Sequence, residues 1–314
     1  MSIFPCQGCI WVDMKRRDFL KLLLSTSLLA SCGAGKALPR IGIALGGGGA
    51  KGLAHIPMLE VLDELGLRPH RIAGCSVGSV IGVLYASGMS GRAIRELVGG
   101  LTISEDENWL ESLFSENLGR WFDFAELKLG NGGVIDSAGL ITFLRERIEA
   151  EQFGQLAIPL SVVATDFWSR EQVVFDDGEL WGAIKASIAI PGLLEPVERD
   201  GRVLVDGGLV NPVPYDLLFE ECDVVIAVDV LGERSADSGE GPSYFETTFN
   251  TFQIMQNSIM REKRRQREPD IYLKPALQNV RVLEFYKADA IYAQAQGERE
   301  RLQRLLRQRL DVPG

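Results

Sequence analysis

Arg40-Ile41-Gly42-Ile43-Ala44-Leu45-Gly46-Gly47-Gly48-Gly49-Ala50-Lys51-Gly52 is the stretch that decides the fold. Residues 40–45 read as a short buried strand that runs straight into glycines, and residues 53–65 follow with apolar side chains at helical spacing. The strand-loop-helix unit then repeats. Arg71-Ile72-Ala73-Gly74 reads as a second strand, and residues 77–87 are apolar and small enough for a buried helix that stops at Gly88. Further apolar runs at 160–165, 172–175, 203–205 and 224–230 read as strands, with helical stretches at 137–150 and 213–221 between them. Strands alternating with helices imply an α/β layered fold around a mostly parallel sheet.

Residues 104–130 interrupt that alternation. Trp109, Leu110, Leu113, Phe114, Trp121, Phe122 and Phe124 lie there among acidic and polar residues. The stretch reads as a surface excursion packed on the core, with a lid or lipid-facing flap as the alternative. Residues 261–268 and 298–309 are charge-rich and read as helices with solvated faces.

A chain of 314 residues that is 46% hydrophobic is large enough for one domain with a sizeable core. Its formal charge of −10 argues against a nucleic-acid partner, because neutralising phosphates takes a surplus of Lys and Arg. Of the cysteines only Cys6 and Cys9 have CxxC spacing, without a second pair, and the two histidines, His55 and His70, are far apart; neither a metal nor a cofactor is expected. Cys75 and Cys222 read as buried small residues, since a disulfide at Cys75 would obstruct its neighbour Ser76.

The glycine run admits three readings. Gly47-Gly48-Gly49-Ala50-Lys51-Gly52 satisfies the dinucleotide pattern GxGxxG, but the next strand ends in Ala73-Gly74-Cys75, without the acid that would hold a ribose. A phosphate-binding P-loop fails as well, because Lys51 is followed by Gly52 and not by Ser or Thr. The third reading is an oxyanion site. Consecutive residues without Cβ let the N–H groups of Gly47, Gly48 and Gly49 turn toward one point, beside a helix N-terminus. Lys51 either adds long-range charge or fixes the loop, and the loop-fixing role is favoured.

Gly74-Cys75-Ser76-Val77-Gly78 is G-x-S-x-G between a strand and a helix, the context that gives the pattern meaning. Side chains at 74 and 78 would collide with neighbouring backbone in so tight a turn, and Ser76 Oγ is left at the helix start; Cys75 is the lesser candidate for nucleophile. A serine needs a base, yet no histidine follows position 70, so the order Ser-acid-His is excluded. His55 reads as a core or helix-face residue, and His70 as lying at the opposite end of the sheet. Asp206 is the better partner. Residues 202–205 deliver it at a strand end, and Gly207-Gly208 let the chain turn away, although a plain Asp-Gly bend reads the same in isolation.

The N-terminus reads as a targeting segment. Met14-Lys15-Arg16-Arg17-Asp18-Phe19-Leu20-Lys21 precedes an apolar run too short to span a bilayer, and Leu29-Ala30-Ser31-Cys32 resembles a bacterial lipobox behind a twin-arginine motif. The expectation is that Met14 is the start, that residues 1–31 are a removed signal, and that a lipidated Cys32 anchors an exported protein at the cell envelope; a non-functional signal would leave it cytoplasmic. Losing residues 1–31 removes four cations and two acids, which moves the formal charge from −10 to about −12 and disfavours electrostatic attachment to an anionic bilayer.

With these residues in view, the chain resembles the patatin-like phospholipases, near the bacterial branch similar to the neuropathy target esterase domain. The resemblance covers about residues 41–290 and rests on the GGGxxG loop, the elbow at Ser76, Asp206-Gly207-Gly208, Ala186-Ser187-Ile188-Ala189-Ile190-Pro191-Gly192 and Asn211-Pro212-Val213-Pro214, with Cys75 where threonine is common. Motif glycines carried over are Gly47, Gly49, Gly52, Gly74, Gly78, Gly207 and Gly208. The resemblance implies a three-layer α/β/α sandwich over residues 40–295 followed by a helical tail at 296–314. It also implies a Ser76/Asp206 dyad hydrolysing acyl esters of phospholipids or lysophospholipids at a membrane surface, without metal. A non-lipid esterase or thioesterase, and a lipid-binding lipoprotein without chemistry, are the alternatives; oligomeric state is not legible.

Overall fold

The computed structural model describes residues 39–101, 137–232 and 244–310. The expected signal, the expected lipobox at Cys32 and the aromatic stretch at 104–130 lie outside the described residues. Within them, eight strands form one sheet: β1 (Ile41–Leu45), β2 (Arg71–Cys75), β3 (Leu160–Asp166), β4 (Gln172–Phe175), β5 (Val197–Arg199), β6 (Arg202–Asp206), β7 (Val224–Val228) and β8 (Ile271–Leu273). Seven α-helices accompany them: α1 (His55–Glu64), α2 (Val77–Ala86), α3 (Gly91–Leu101), α4 (Ala138–Arg145), α5 (Trp181–Ser187), α6 (Tyr244–Gln266) and α7 (Ala288–Leu310).

The strand order is β5-β6-β3-β2-β1-β7-β8, with β4 also paired to β3. From β3 through β8 every neighbour is parallel. β1 at the centre is buried at all five positions, as a strand covered on both faces must be. Its side chains alternate between two cores. Ile41, Ile43 and Leu45 join Ile226 and Val228 in the larger cluster with residues of α1, α2 and α7, while Ala44 and Ala227 face a smaller one built on Tyr215, Leu218 and Met260. Helices therefore cover both faces of a mostly parallel sheet, the three-layer α/β/α arrangement expected above.

Two elements differ from expectation. The helix read at 53–65 is a 3₁₀ turn, Gly49–Ala54, that passes into α1, and the stretch at 213–221 is only the 3₁₀ turn Tyr215–Leu218. The expected boundary at 296 falls inside α7, whose Leu302 and Leu306 are buried in the larger core.

The larger difference is direction. β4 and β6 run antiparallel to β3, and β5 runs antiparallel to β6. In consequence β3 sets two registers at once: Cys75 of β2 lies opposite Val163, and Asp206 of β6 lies opposite the very next residue, Ala164. Asp206 was expected at a strand end facing the crevice above parallel strands. It ends its strand, but an antiparallel one, and reaches the crevice because β6 stops at the level where β2 stops.

Candidate active site

Ser76 is the one residue between β2 and α2, and it holds a backbone that L-residues avoid, φ 53° and ψ −129°. Two hydroxyls, through three hydrogen bonds, fix that strain in place. Ser76 N–H donates to Ser187 Oγ at 2.9 Å, Ser187 Oγ–H donates to the Val163 carbonyl at 2.6 Å, and Ser79 Oγ–H donates to the Ser76 carbonyl at 2.6 Å. The flanking glycines are forced by contact: a Cβ on Gly78 would lie 2.1 Å from Leu45 O, and one on Gly74 2.6 Å from Ser79 Cα. A Cβ on Gly52 would meet Val77 at 2.2 Å, so the glycine loop and the elbow pack directly on each other. Ser187 was legible only as part of a longer motif, because nothing in its own position marks a backbone tie to residue 76.

Asp206 is held at three points, two on its backbone and one on its side chain. Its N–H donates to Ala189 O at 2.9 Å, and its carbonyl accepts Thr165 Oγ1–H at 2.9 Å. Its carboxyl Oδ1 takes the Gly208 N–H at 2.7 Å. A Cβ on Gly207 would sit 2.2 Å from Val163 O, and one on Gly208 2.5 Å from Gln256 Nε2, so both glycines admit neighbours rather than merely turning the chain. The second carboxyl oxygen, Oδ2, is buried with no hydrogen-bond partner of good geometry among the described residues. Burial pushes the carboxyl up to about 6, against the pull of the Ser76 hydroxyl and the Gly208 N–H toward the charged form.

The glycine loop requires one correction. Gly47 N–H donates to Pro212 O at 3.0 Å, so it is not one of the open donors. Gly46 N–H goes to Val228 O at 3.1 Å and Ala50 N–H to Val282 O at 2.8 Å. Between them only Gly48 and Gly49 have N–H groups that no acceptor takes among the described residues, and they open the 3₁₀ turn before α1. Gly49 has φ +59°, and a Cβ there would strike Val282 O at 2.4 Å. Gly47 serves by lacking a Cβ, which would lie 3.2 Å from Ser76 Cβ.

Lys51 is buried and donates from Nζ to Leu231 O at 3.0 Å, tying the loop to the chain after β7. His55 is fully buried; its Nε2–H donates to Gly46 O at 2.8 Å, and burial lowers it to about 4, so it is neutral and faces the back of the loop. His70 is exposed, and its N–H bonds Ile41 O at the start of β1, the far end of the sheet. Cys75 and Cys222 are buried free thiols, and burial raises Cys75 far from the thiolate form a nucleophile needs.

The family model for patatin-like phospholipases matches residues 43–219, a span that includes the glycine loop, Ser76 and Asp206. The chain belongs to the patatin-like phospholipase family. An uncharacterized NTE family protein of Mycobacterium bovis is 35% identical over 202 residues, 64% of this chain and 52% of that protein. The lysophospholipase NTE1 of Candida glabrata is 27% identical over 317 residues, 90% of this chain and 16% of that protein. Among solved structures, human GIVD cytosolic phospholipase A2 aligns with TM-score 0.43 and 14% identity over 92% of this chain and 62% of that one. The chain spans about half the length of the first of these relatives and far less of the second.

In this patatin-like domain two cavities meet at Ser76. One, about 890 Å³ and continuous with solvent, is walled by apolar side chains that include Val80, Leu84, Leu140, Phe143 and Leu194. The other, about 860 Å³, holds Gly47–Gly49 and Asp206 and is bordered by Asn250, Gln253 and Gln256 of α6 and by Arg281. Gly49, Ser76, Ile190 and Val282 belong to both, so a bound molecule with an apolar and a polar half would cross Ser76 at the join.

Proposed function

We propose that this protein is a serine acyl hydrolase that cleaves carboxylic esters of phospholipids or lysophospholipids. The observation that carries the proposal is a buried Asp206 carboxyl within reach of the strained Ser76 hydroxyl, its Oδ2 left without any other partner among the described residues. Ser76 Oγ attacks the ester carbonyl as its proton passes to Asp206 Oδ2. The oxyanion forms against the Gly48 and Gly49 N–H groups, each donor of this kind being worth about 3 kcal/mol in the transition state. Asp206 then returns the proton to the departing alcohol, leaving an acyl ester on Ser76. Water attacks that ester, gives its proton to Asp206 and releases the fatty acid, and the proton goes back to Ser76. A carboxyl raised to about 6 is a far better acceptor than an ordinary aspartate at 3.8, which makes a two-residue mechanism feasible without histidine.

The apolar cavity suits an acyl chain and the polar cavity the alcohol half of the ester. The name of the Candida glabrata relative, a lysophospholipase, points the same way. Attachment at a membrane belongs to this proposal. Among the described residues no helix is long and apolar enough to cross a bilayer, so the lipobox at Cys32 is the proposed anchor. Phe167 and Trp168 support surface contact: they pack edge to face at 4.9 Å on the turn after β3, where Trp168 is 74% exposed.

A fluorophosphonate tests the chemistry. Wild type is expected to label and Ser76→Ala not to label, while Asp206→Asn labels at least about a hundredfold more slowly. Product analysis on phospholipid, lysophospholipid and a short thioester assigns the substrate, and equal labelling of wild type and Ser76→Ala would refute the nucleophile. Cys32→Ala is expected to release the protein from membranes on fractionation.

A further inference from the structure

We infer that His55 is a positioning residue for the oxyanion donors: by its bond to the Gly46 carbonyl it fixes the peptide plane from which the Gly48 and Gly49 N–H groups take their direction. On the hydrolase reading, on which this rests, His55 is the side chain that aims the two donors.

The proposed chemistry gives His55 no proton to carry, yet this polar side chain is sealed in the core at the first position of α1. Gly46 O can only accept, so the ring proton sits on Nε2, and Nδ1 is left as an acceptor without a hydrogen bond among the described residues. A buried acceptor left unmet is a cost that an apolar side chain of similar size would not carry. Packing alone therefore does not account for a histidine here. The bond to Gly46 does.

That bond acts on a peptide plane held at both ends. The carbonyl of Gly46 and the N–H of Gly47 belong to one planar unit. Its oxygen takes His55 Nε2–H at 2.8 Å, and its N–H goes to Pro212 O at 3.0 Å. Residues 46–49 carry no Cβ, so the chain itself offers little resistance to a turned plane and the direction has to be imposed from outside the run. His55 also closes the turn that follows. Its backbone N–H bonds Gly52 O and Leu53 O at the end of the 3₁₀ turn Gly49–Ala54, and Ala50 N–H is tied to Val282 O at 2.8 Å. Gly48 and Gly49 thus lie between two fixed points, the first of them set by the His55 ring and Pro212.

Two carboxamides of different reach test this. The Gln side-chain nitrogen falls where imidazole Nε2 lies, whereas the Asn amide ends at the level of Nδ1, so His55→Gln keeps the donor to Gly46 and His55→Asn loses it. On 4-nitrophenyl butyrate, His55→Asn is expected to lower kcat about a hundredfold with KM changed by less than about threefold, and His55→Gln to stay within about fivefold of wild type. A fluorophosphonate should label the two variants in the same order. Amide exchange followed by NMR reads the loop without turnover: Gly47 N–H is expected to lose protection in His55→Asn and to keep it in His55→Gln, while the amides of β1 and β7 stay protected in both. Should His55→Asn not fold, His55→Met, which also lacks the donor, takes its place. Equal kcat in the two variants overturns the inference, and so does a Gly47 amide that stays protected when the donor is lost. A wild type that neither turns over nor labels refutes the hydrolase proposal instead, and Gly47 exchange then decides whether His55 holds the loop.

Discussion

Asp206 is buried and, among the described residues, carries one hydrogen bond to Oδ1 and none of good geometry to Oδ2, and that asymmetry sets its chemistry. A base must be ionised to act, so with the carboxyl at about 6 the rate is expected to fall as pH drops below that value. A kcat/KM profile on a water-soluble ester should show a single acidic limb centred near 6, and a limb near 4 would mean that the base is solvated. Residue identity was well legible here. Without a histidine after position 70, Asp206 was the remaining candidate, and its strand-to-glycine setting was visible in the letters. The donor assignment was less so. Which N–H groups of a glycine run stay open depends on partners such as Pro212, remote in sequence, and no local pattern announces that Gly47 is taken.

At the scale of elements, the site depends on a clamp between α6 and the chain after Asp206. Lys263 of α6 is largely buried, and its Nζ bonds Asn211 Oδ1, the Val213 carbonyl at 2.8 Å and Asp216 Oδ1. Asn211 Nδ2–H in turn donates to Gln172 Oε1 at 2.6 Å. Pro212, inside that clamp, is the residue that takes Gly47 N–H. Lys263→Met leaves buried acceptors without a donor and is expected to cost about 2 kcal/mol in urea unfolding. By loosening the glycine loop it should also lower kcat tenfold or more while KM changes little. The strands feeding this region show where sequence reading stops. β5 and β8 have three residues each, too few for a period, and the reversed direction of β4 and β6 is a matter of pairing partners that apolar runs do not encode. The parallel half was legible because its strands are buried on both faces and read as unbroken apolar runs.

For the whole molecule, two buried groups pull stability in opposite directions over nearly the same pH range. Asp206 has its native value raised from 3.8 to about 6, so the folded chain holds a proton that the unfolded chain has lost; this favours folding at low pH and the advantage disappears as pH rises through 6. His55 has its native value lowered from 6.5 to about 4, so its contribution is complete above 6.5 and is lost as pH falls toward 4. The two nearly offset each other. Asp206→Asn removes one side of that balance. The variant is expected to be more stable than wild type by up to about 3 kcal/mol at pH near 8, with the difference vanishing below about pH 4. Chemical denaturation across that range reads the effect directly, and a pH-independent difference would show that burial of the charge is not its origin.

The double register on β3 also bears on the time at which the protein becomes active. Ser76 arrives with an early strand and Asp206 with a late one, and only β3, between them in sequence, aligns the two. A nascent or half-folded chain therefore lacks a proton acceptor for its serine until the last antiparallel strand has docked. On the proposed chemistry, the protein is inert toward surrounding lipids throughout its synthesis and maturation, with completion of the sheet as its own safety catch.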